Sequence, residues 1–167
     1  MARGESKPRI VTIGVYGFEE ERFFQTLRDA GVDTFYDIRA RRGVRGSAYA
    51  FGNSARLQRR LGEMGIRYIH SIELAPSQSV RDRQNQADKK SGTGKRGRKV
   101  LGEAFVEAYK EERLANFDSA QFIEGLGPDA QVICLFCVEG IPEACHRSLV
   151  ADKLARDLGL PVEHIRP

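Results

Sequence analysis

Between Leu135 and Leu154 the chain reads LFCVEGIPEACHRSLVADKL, which puts Cys137, Glu139, Cys145, His146, Arg147 and Ser148 within twelve residues. These side chains can do three kinds of chemistry. A thiolate is a nucleophile and a soft metal ligand. An imidazole or a carboxylate at hydrogen-bond distance can move a proton. A guanidinium forks onto phosphate, sulfate or carboxylate. The apolar run AQVICLFCV (130–138) leading into this stretch reads as a strand buried on both faces. The segment CHRSLVADKLARDLG after it reads as a helix. If Cys145, His146, Arg147 and Ser148 form the first turn of that helix, its free N–H groups and macrodipole favour an anion and lower the thiol pKa. Gly140 would let the intervening loop turn tightly. Cys145, His146, Cys137 and Glu139 are therefore catalytic candidates, with Arg147 and Ser148 as anion-binding candidates.

Each of these residues also has a plainer role open to it. Cys134 lies inside the apolar run and reads as core. Cys137 suits core filler and functional thiol equally. His146 could cap the helix, Glu139 could be a loop carboxylate beside Arg147, and Arg147 and Ser148 could be an ion-pair partner and a helix-start residue. A zinc site is the weaker alternative. Cys137, Cys145 and His146 offer three ligands and Cys134 a possible fourth, but Cys134 and Cys137 stand three apart on a strand and point to opposite faces. No metal is expected on that ground.

A second segment, YDIRARRGVRGSAYAFG, starts with Asp37 and Arg39 at a strand end. Asp37 could orient Arg39 or a substrate hydroxyl. Arg41, Arg42 and Arg45 then make a basic rim, with Tyr49 and Phe51 available to stack on a base. Tyr16, in IGVYGFEEE, belongs to a third loop on the same edge. That loop lacks G-x-G-x-x-G, and GTGKRGRK lacks the strand and spacing of a phosphate-binding loop, so no nucleotide cofactor motif is present.

The elements that must position these residues alternate. RIVTIGV (9–15), VDTFYDI (32–38), IRYIHSIEL (66–74, at its start), AQVICLFCV (130–138) and PVEHI (161–165) read as strands. Helical patterns fall between them: FEEERFFQTLRDAG, NSARLQRRLGEMG, LGEAFVEAYKEERLANF, DSAQFIEGLG with Asp118 as N-cap and Gly127 as stop, and the last helix. Residues 76–99 show no apolar period and read as a mobile basic insertion with a short helix near its start. The expectation is one doubly wound α/β domain over 1–167, with a mostly parallel sheet of about five strands and helices on both faces. In such folds ligands sit beyond the carboxyl ends of the strands, which gathers the three loops at one edge.

Bulk properties narrow the function. A chain of 167 residues with 41% hydrophobic and 30% charged content is that of one globular domain. No apolar run is long enough for a membrane span. The start MARGESKPRIV has no secretory pattern, and three cysteines do not make a disulfide framework, so a cytoplasmic protein with reduced thiols is expected. The net charge is only +4, yet residues 38–62 hold seven arginines and no acid, and residues 81–99 hold eight Lys/Arg against two acids. This asymmetry points to an anionic partner, nucleic acid included. Nothing in the sequence indicates an oligomeric state.

The segments VTIGVYGFEEERFFQTLRDAGVDTFYDIRA, LQRRLGEMGIRYIHSIELA and CVEGIPEACHRSLVADKL resemble domain-of-unknown-function family 488, over roughly residues 10–165. The C-x-E and C-H-R pattern of Cys137, Glu139, Cys145, His146 and Arg147 carries the resemblance. It implies a compact α/β domain with a functional site at those residues and no assigned reaction; the arginine-rich loop and the insertion look like subfamily features. The layout is also similar to rhodanese domains, whose C-x5-R loop opens a helix. Here nine residues separate Cys137 from Arg147, so sulfur transfer does not carry over. Three functions follow from the residues: an enzyme, with thiol-dependent chemistry first, acting on a nucleotide or nucleic-acid-related anion; a non-enzymatic nucleic-acid-binding module; or an α/β scaffold with inert cysteines whose partner is another protein.

Overall fold

Strands with 3.6-period segments between them cannot pair as hairpins; they pair in parallel through crossovers. The computed structural model, which describes residues 7–92 and 99–167, has that form. Strands β1 (Arg9–Gly14), β2 (Thr34–Asp37), β3 (Arg67–His70), β4 (Val132–Cys137) and β5 (Val162–His164) make one parallel sheet in the order β3-β2-β4-β1-β5. The helices are α1 (Glu20–Asp29), α2 (Ser54–Glu63), α3 (Gln78–Ser91), α4 (Glu103–Tyr109), α5 (Ser119–Leu126) and α6 (Arg147–Leu158). A π-helical stretch, Lys110–Leu114, continues α4.

Helices cover both faces, as a doubly wound sheet requires. Phe35 and Tyr36 are consecutive on β2 and so face opposite ways. On one side Phe23 of α1 meets Phe35 and Phe136 with ring centroids 6.5 and 5.8 Å apart. On the other side Tyr36 meets Phe122 of α5 at 4.9 Å. Helix α6 joins α5 through a 2.6 Å hydrogen bond from the Ser119 hydroxyl to Asp157. The central strands β1 and β4 are nearly all buried, which explains their unbroken apolar runs. Among the described residues no helix is long and apolar enough to cross a membrane.

Two elements depart from the sequence expectation. The segment expected to carry only a short helix holds the 14-residue helix α3, capped by the Ser77 hydroxyl on the Val80 N–H and ended by Gly92 in the left-handed region. Its inner side carries Val80 with Gln84 and Asp88, both buried polar residues, so no apolar period marks it. Gln84 donates to Asp88 at 2.8 Å and accepts from the Gly102 N–H at 2.7 Å, which satisfies it against the start of α4. Residues 93–98 of that basic segment lie outside the described residues. The second departure is the last helix, which starts at Arg147 and not at Cys145. Pro142–Ala144 form a 3-10 turn first, and Cys145 is extended (φ −135°, ψ 145°), with its carbonyl accepting from the Ser148 hydroxyl at 2.9 Å.

Candidate active site: a Cys-Cys-His floor under an arginine-lined cleft

The site sits where the winding reverses. From β2 the chain crosses outward to β3, and from β4 it crosses the other way to β5, so the connections diverge from the β2/β4 boundary. The sheet register aligns Gly14 with Cys137, and Asp37 with both Phe136 and His70, so the candidate residues on β2 and β4 end at one edge. A crevice at that edge is where open α/β sheets bind ligands.

The loops after β1 and β4 are packed against each other. The N–H groups of Val15 and Tyr16 both donate to the Val138 carbonyl, at 2.9 and 3.0 Å. Gly14 and Gly140 permit this approach: a Cβ on Gly14 would overlap the Glu139 carbonyl, and one on Gly140 would overlap the Tyr16 carbonyl. Arg147 completes the lock. It is fully buried, donates to the carbonyls of Glu139 and Gly140, and has no carboxylate at ion-pair distance among the described residues. Its guanidinium therefore holds the loop and does not line the cleft. Ser148 caps Cys145, and its hydroxyl likewise does not line the cleft.

Three side chains converge on the floor. The Nδ1 of His146 lies 3.6 Å from Cys137 Sγ and 3.8 Å from Cys145 Sγ. All three residues are buried, yet all three line the cleft. His146 Nε2 is 2.9 Å from the Ile38 carbonyl at the end of β2. A carbonyl only accepts, so Nε2 carries a proton, and Nδ1 is turned toward the two sulfurs. The Tyr109 ring, 5.3 Å from the imidazole, packs beside it. Cys134 is elsewhere, fully buried in the core, where burial pushes its thiol far up despite Arg147. Burial also opposes ionisation of Cys145. There it is outweighed by the hydrogen bond from Cys137 and by the charge and hydrogen bond of His146, with Arg147 adding to them, and the thiol is held well below its ordinary value. Cys145 does not lie in the first turn of the helix, as expected, but just before its N-cap residue His146.

Above this floor is a cleft of about 760 Å³. Arg39, Arg41, Arg45 and Arg81 line it, against Glu139 as the one carboxylate among the described lining residues. Arg39 is not available to a ligand in the way Arg41 is. It is 1% exposed, forks onto Asp37 through Nε and Nη2 at 2.9 Å each, donates to the Gly52 carbonyl at 2.8 Å and covers the Phe136 ring at 4.6 Å. Asp37 also accepts from the Tyr68 hydroxyl at 2.6 Å. Asp37 and Arg39 thus form a closed pair beneath the cleft. Arg41, Arg42 and Arg45 are exposed on the loop above it; Arg41 and Arg45 reach the cleft, whereas Arg42 does not line it and lies beside Tyr68. Tyr16 lines the cleft, tilted against Tyr49 at 5.1 Å.

The sequence reading missed the far wall. Gln78, Arg81 and Asn85 of α3 face the cleft. Their i, i+3, i+7 spacing is a helix face, and the Ser77 cap and Gly92 stop were the signals that could have revealed it. Part of the arginine excess is also spent away from the site. Arg56 pairs with Glu20 at 2.6 Å and Arg60 with Glu21 at 3.2 Å, tying α2 to α1.

Compared with known proteins, residues 19–154 match the family described as Domain of unknown function DUF488, and the chain belongs to that family. No curated protein and no solved structure matches it.

Proposed function

We propose, for this member of a family whose name carries no reaction, an enzyme that acts on an anionic substrate of the nucleotide or nucleic-acid class. Arg41, Arg45 and Arg81 hold the anion, Tyr16 offers a face for a base, and the reacting groups come from the floor of Cys137, Cys145 and His146. The observation that carries this function is the coincidence of two features in one cleft: a buried Cys-Cys-His cluster, and a lining that sets Arg41, Arg45 and Arg81 against one carboxylate, apart from the Asp37-paired Arg39. Binding of nucleoside monophosphates and short single-stranded oligonucleotides, measured by calorimetry at about 50 mM salt, tests it. Affinity should fall as salt rises. Each of Arg41→Ala and Arg81→Ala should weaken it roughly ten-fold, the worth of one charge-assisted hydrogen bond of about 1.5 kcal/mol. Mass spectrometry of the bound ligands should find a product with the wild type and none with Cys145→Ser. Wild-type affinity in the Arg41→Ala/Arg81→Ala double variant would remove the cleft from the function.

The binding-module alternative draws support from Arg83, Lys89 and Lys90, which are exposed on α3 outside the cleft. Oligonucleotide binding that survives the double variant but is lost on substituting those three, with no product formed, would favour it.

A further inference from the structure

The floor has a geometry that thiol chemistry does not require. A lone reactive cysteine needs one base; here two sulfurs and one imidazole nitrogen surround a common point. Zinc binds sulfur at about 2.3 Å and imidazole nitrogen at about 2.0–2.1 Å, so at tetrahedral angles the S···N edge is about 3.6 Å and the S···S edge about 3.8 Å. The two S···N separations are 3.6 and 3.8 Å, and all three atoms lie within 4.8 Å of one another. The outer contact fits as well. A ligating histidine commonly donates its other ring N–H to a backbone carbonyl, which fixes the tautomer and the ring plane. The Ile38 carbonyl does this at 2.9 Å. The strand-parity objection to zinc concerns Cys134 and Cys137 only; it does not touch a set of Cys137, Cys145 and His146, in which Cys145 and His146 come from the loop and the helix start.

We propose that Cys137, Cys145 and His146 bind one zinc-class divalent ion, with the fourth coordination position open to the arginine-lined cleft. Two thiolates balance the charge of the ion, and sulfur–imidazole ligand sets at tetrahedral spacing select zinc over harder cations. Three protein ligands and one open position are the mark of a catalytic site, since the fourth place takes water or a substrate oxygen. The open side faces Arg41, Arg45 and Arg81 across the cleft, so an anion held there presents an oxygen to the ion. This assignment rests on the cleft being the working site and says what its floor does; it replaces thiolate attack as the chemistry.

The test uses the full chain, purified reduced and freed of metal by a chelator, and titrated with cobalt or zinc ions alone. Cobalt should bind one per chain and give the thiolate-to-cobalt charge-transfer band and the visible bands of a tetrahedral ion. Zinc should displace it. Cys137→Ser and Cys145→Ser should each weaken binding by a hundred-fold or more, while Cys134→Ala, in the core, should leave the stoichiometry at one. Far-ultraviolet dichroism of each variant checks that it is folded. If the folded wild type shows no charge-transfer band with cobalt and no protection of Cys137 or Cys145 from alkylation by added zinc, the metal assignment is overturned. Anion binding that persists and still depends on Arg41 and Arg81 would then leave the cleft function standing with thiol chemistry. If metal binds but no anion does, the reverse holds.

Discussion

Asp37 and Arg39 stand side by side at the end of β2, and neither reaches solvent. In sequence they look like a ligand-orienting acid and an anion-binding base. In the fold they complete each other, with Tyr68 and the Gly52 carbonyl taking what remains. Breaking one half of such a pair leaves a buried charge without a partner, which costs about 3–5 kcal/mol. Asp37→Asn should therefore lower stability by about that amount in urea unfolding, and Asp37→Asn/Arg39→Met should recover a large part of it. Arg41→Ala, on the exposed loop, should stay within about 0.5 kcal/mol of wild type in the same experiment. At this scale the sequence picked out residues that the fold brings to one strand edge, and gave several of them the wrong surroundings. Whether a guanidinium faces a ligand or a neighbour's carbonyl depends on atoms that lie far away along the chain.

The loops after β1 and β4 work as a unit. Gly14 and Gly140 have no room for a side chain, because each lies against the other loop's backbone. Gly140→Ala should cost about 1–3 kcal/mol by overpacking, and because the displaced loop carries Glu139 and leads to Cys145, it should also loosen binding at the floor. Paired measurement of unfolding midpoint and cobalt affinity checks both halves of that expectation. Element α3 makes the opposite point about legibility. Hydrophobic periodicity failed there because the helix docks through Gln84 and Asp88 and not through an apolar stripe. The caps at Ser77 and Gly92 were still legible. Ser77→Ala should remove the hydroxyl that accepts the Val80 N–H, at about 1 kcal/mol, and shift the wall that carries Arg81. The start of α6 departs for a related reason: helical spacing continues through Cys145 and His146 in sequence, while the chain first makes the proline turn and leaves Cys145 extended.

Over the whole molecule, the parallel sheet places the carboxyl ends of all its strands at the same edge and opens the crevice beyond β2 and β4. Another titratable group of the sheet is His164 on β5, hydrogen-bonded to the Thr12 hydroxyl at 2.8 Å. Burial depresses its pKa below 6.5, with Arg147 and Arg166 acting in the same direction and Asp152 and Glu143 opposing. A group depressed in the folded state is protonated first in the unfolded chain. Its contribution is thus complete above the unfolded value and lost as pH falls through the folded one. Stability should decline as pH falls below the ordinary histidine value of about 6.5, and His164→Gln should flatten that decline in paired urea curves.

What the sequence determined by itself was set by short-range rules. Alternating strand and helix patterns required a parallel α/β sheet, and the residue types from Cys137 to Arg147 marked the loop that carries the Cys-Cys-His cluster. Caps and periods act over three or four residues, so they can be read from the chain in order. The tertiary structure alone decided that Cys137, Cys145 and His146 share one point, because the Ile38 carbonyl that turns the imidazole is 108 residues away in the chain. It also decided that Arg147 and Arg39 are buried braces while Arg41, Arg45 and Arg81 line the cleft. Those roles are fixed by which carbonyls and carboxylates the sheet order brings within reach, and that order is a property of the whole fold.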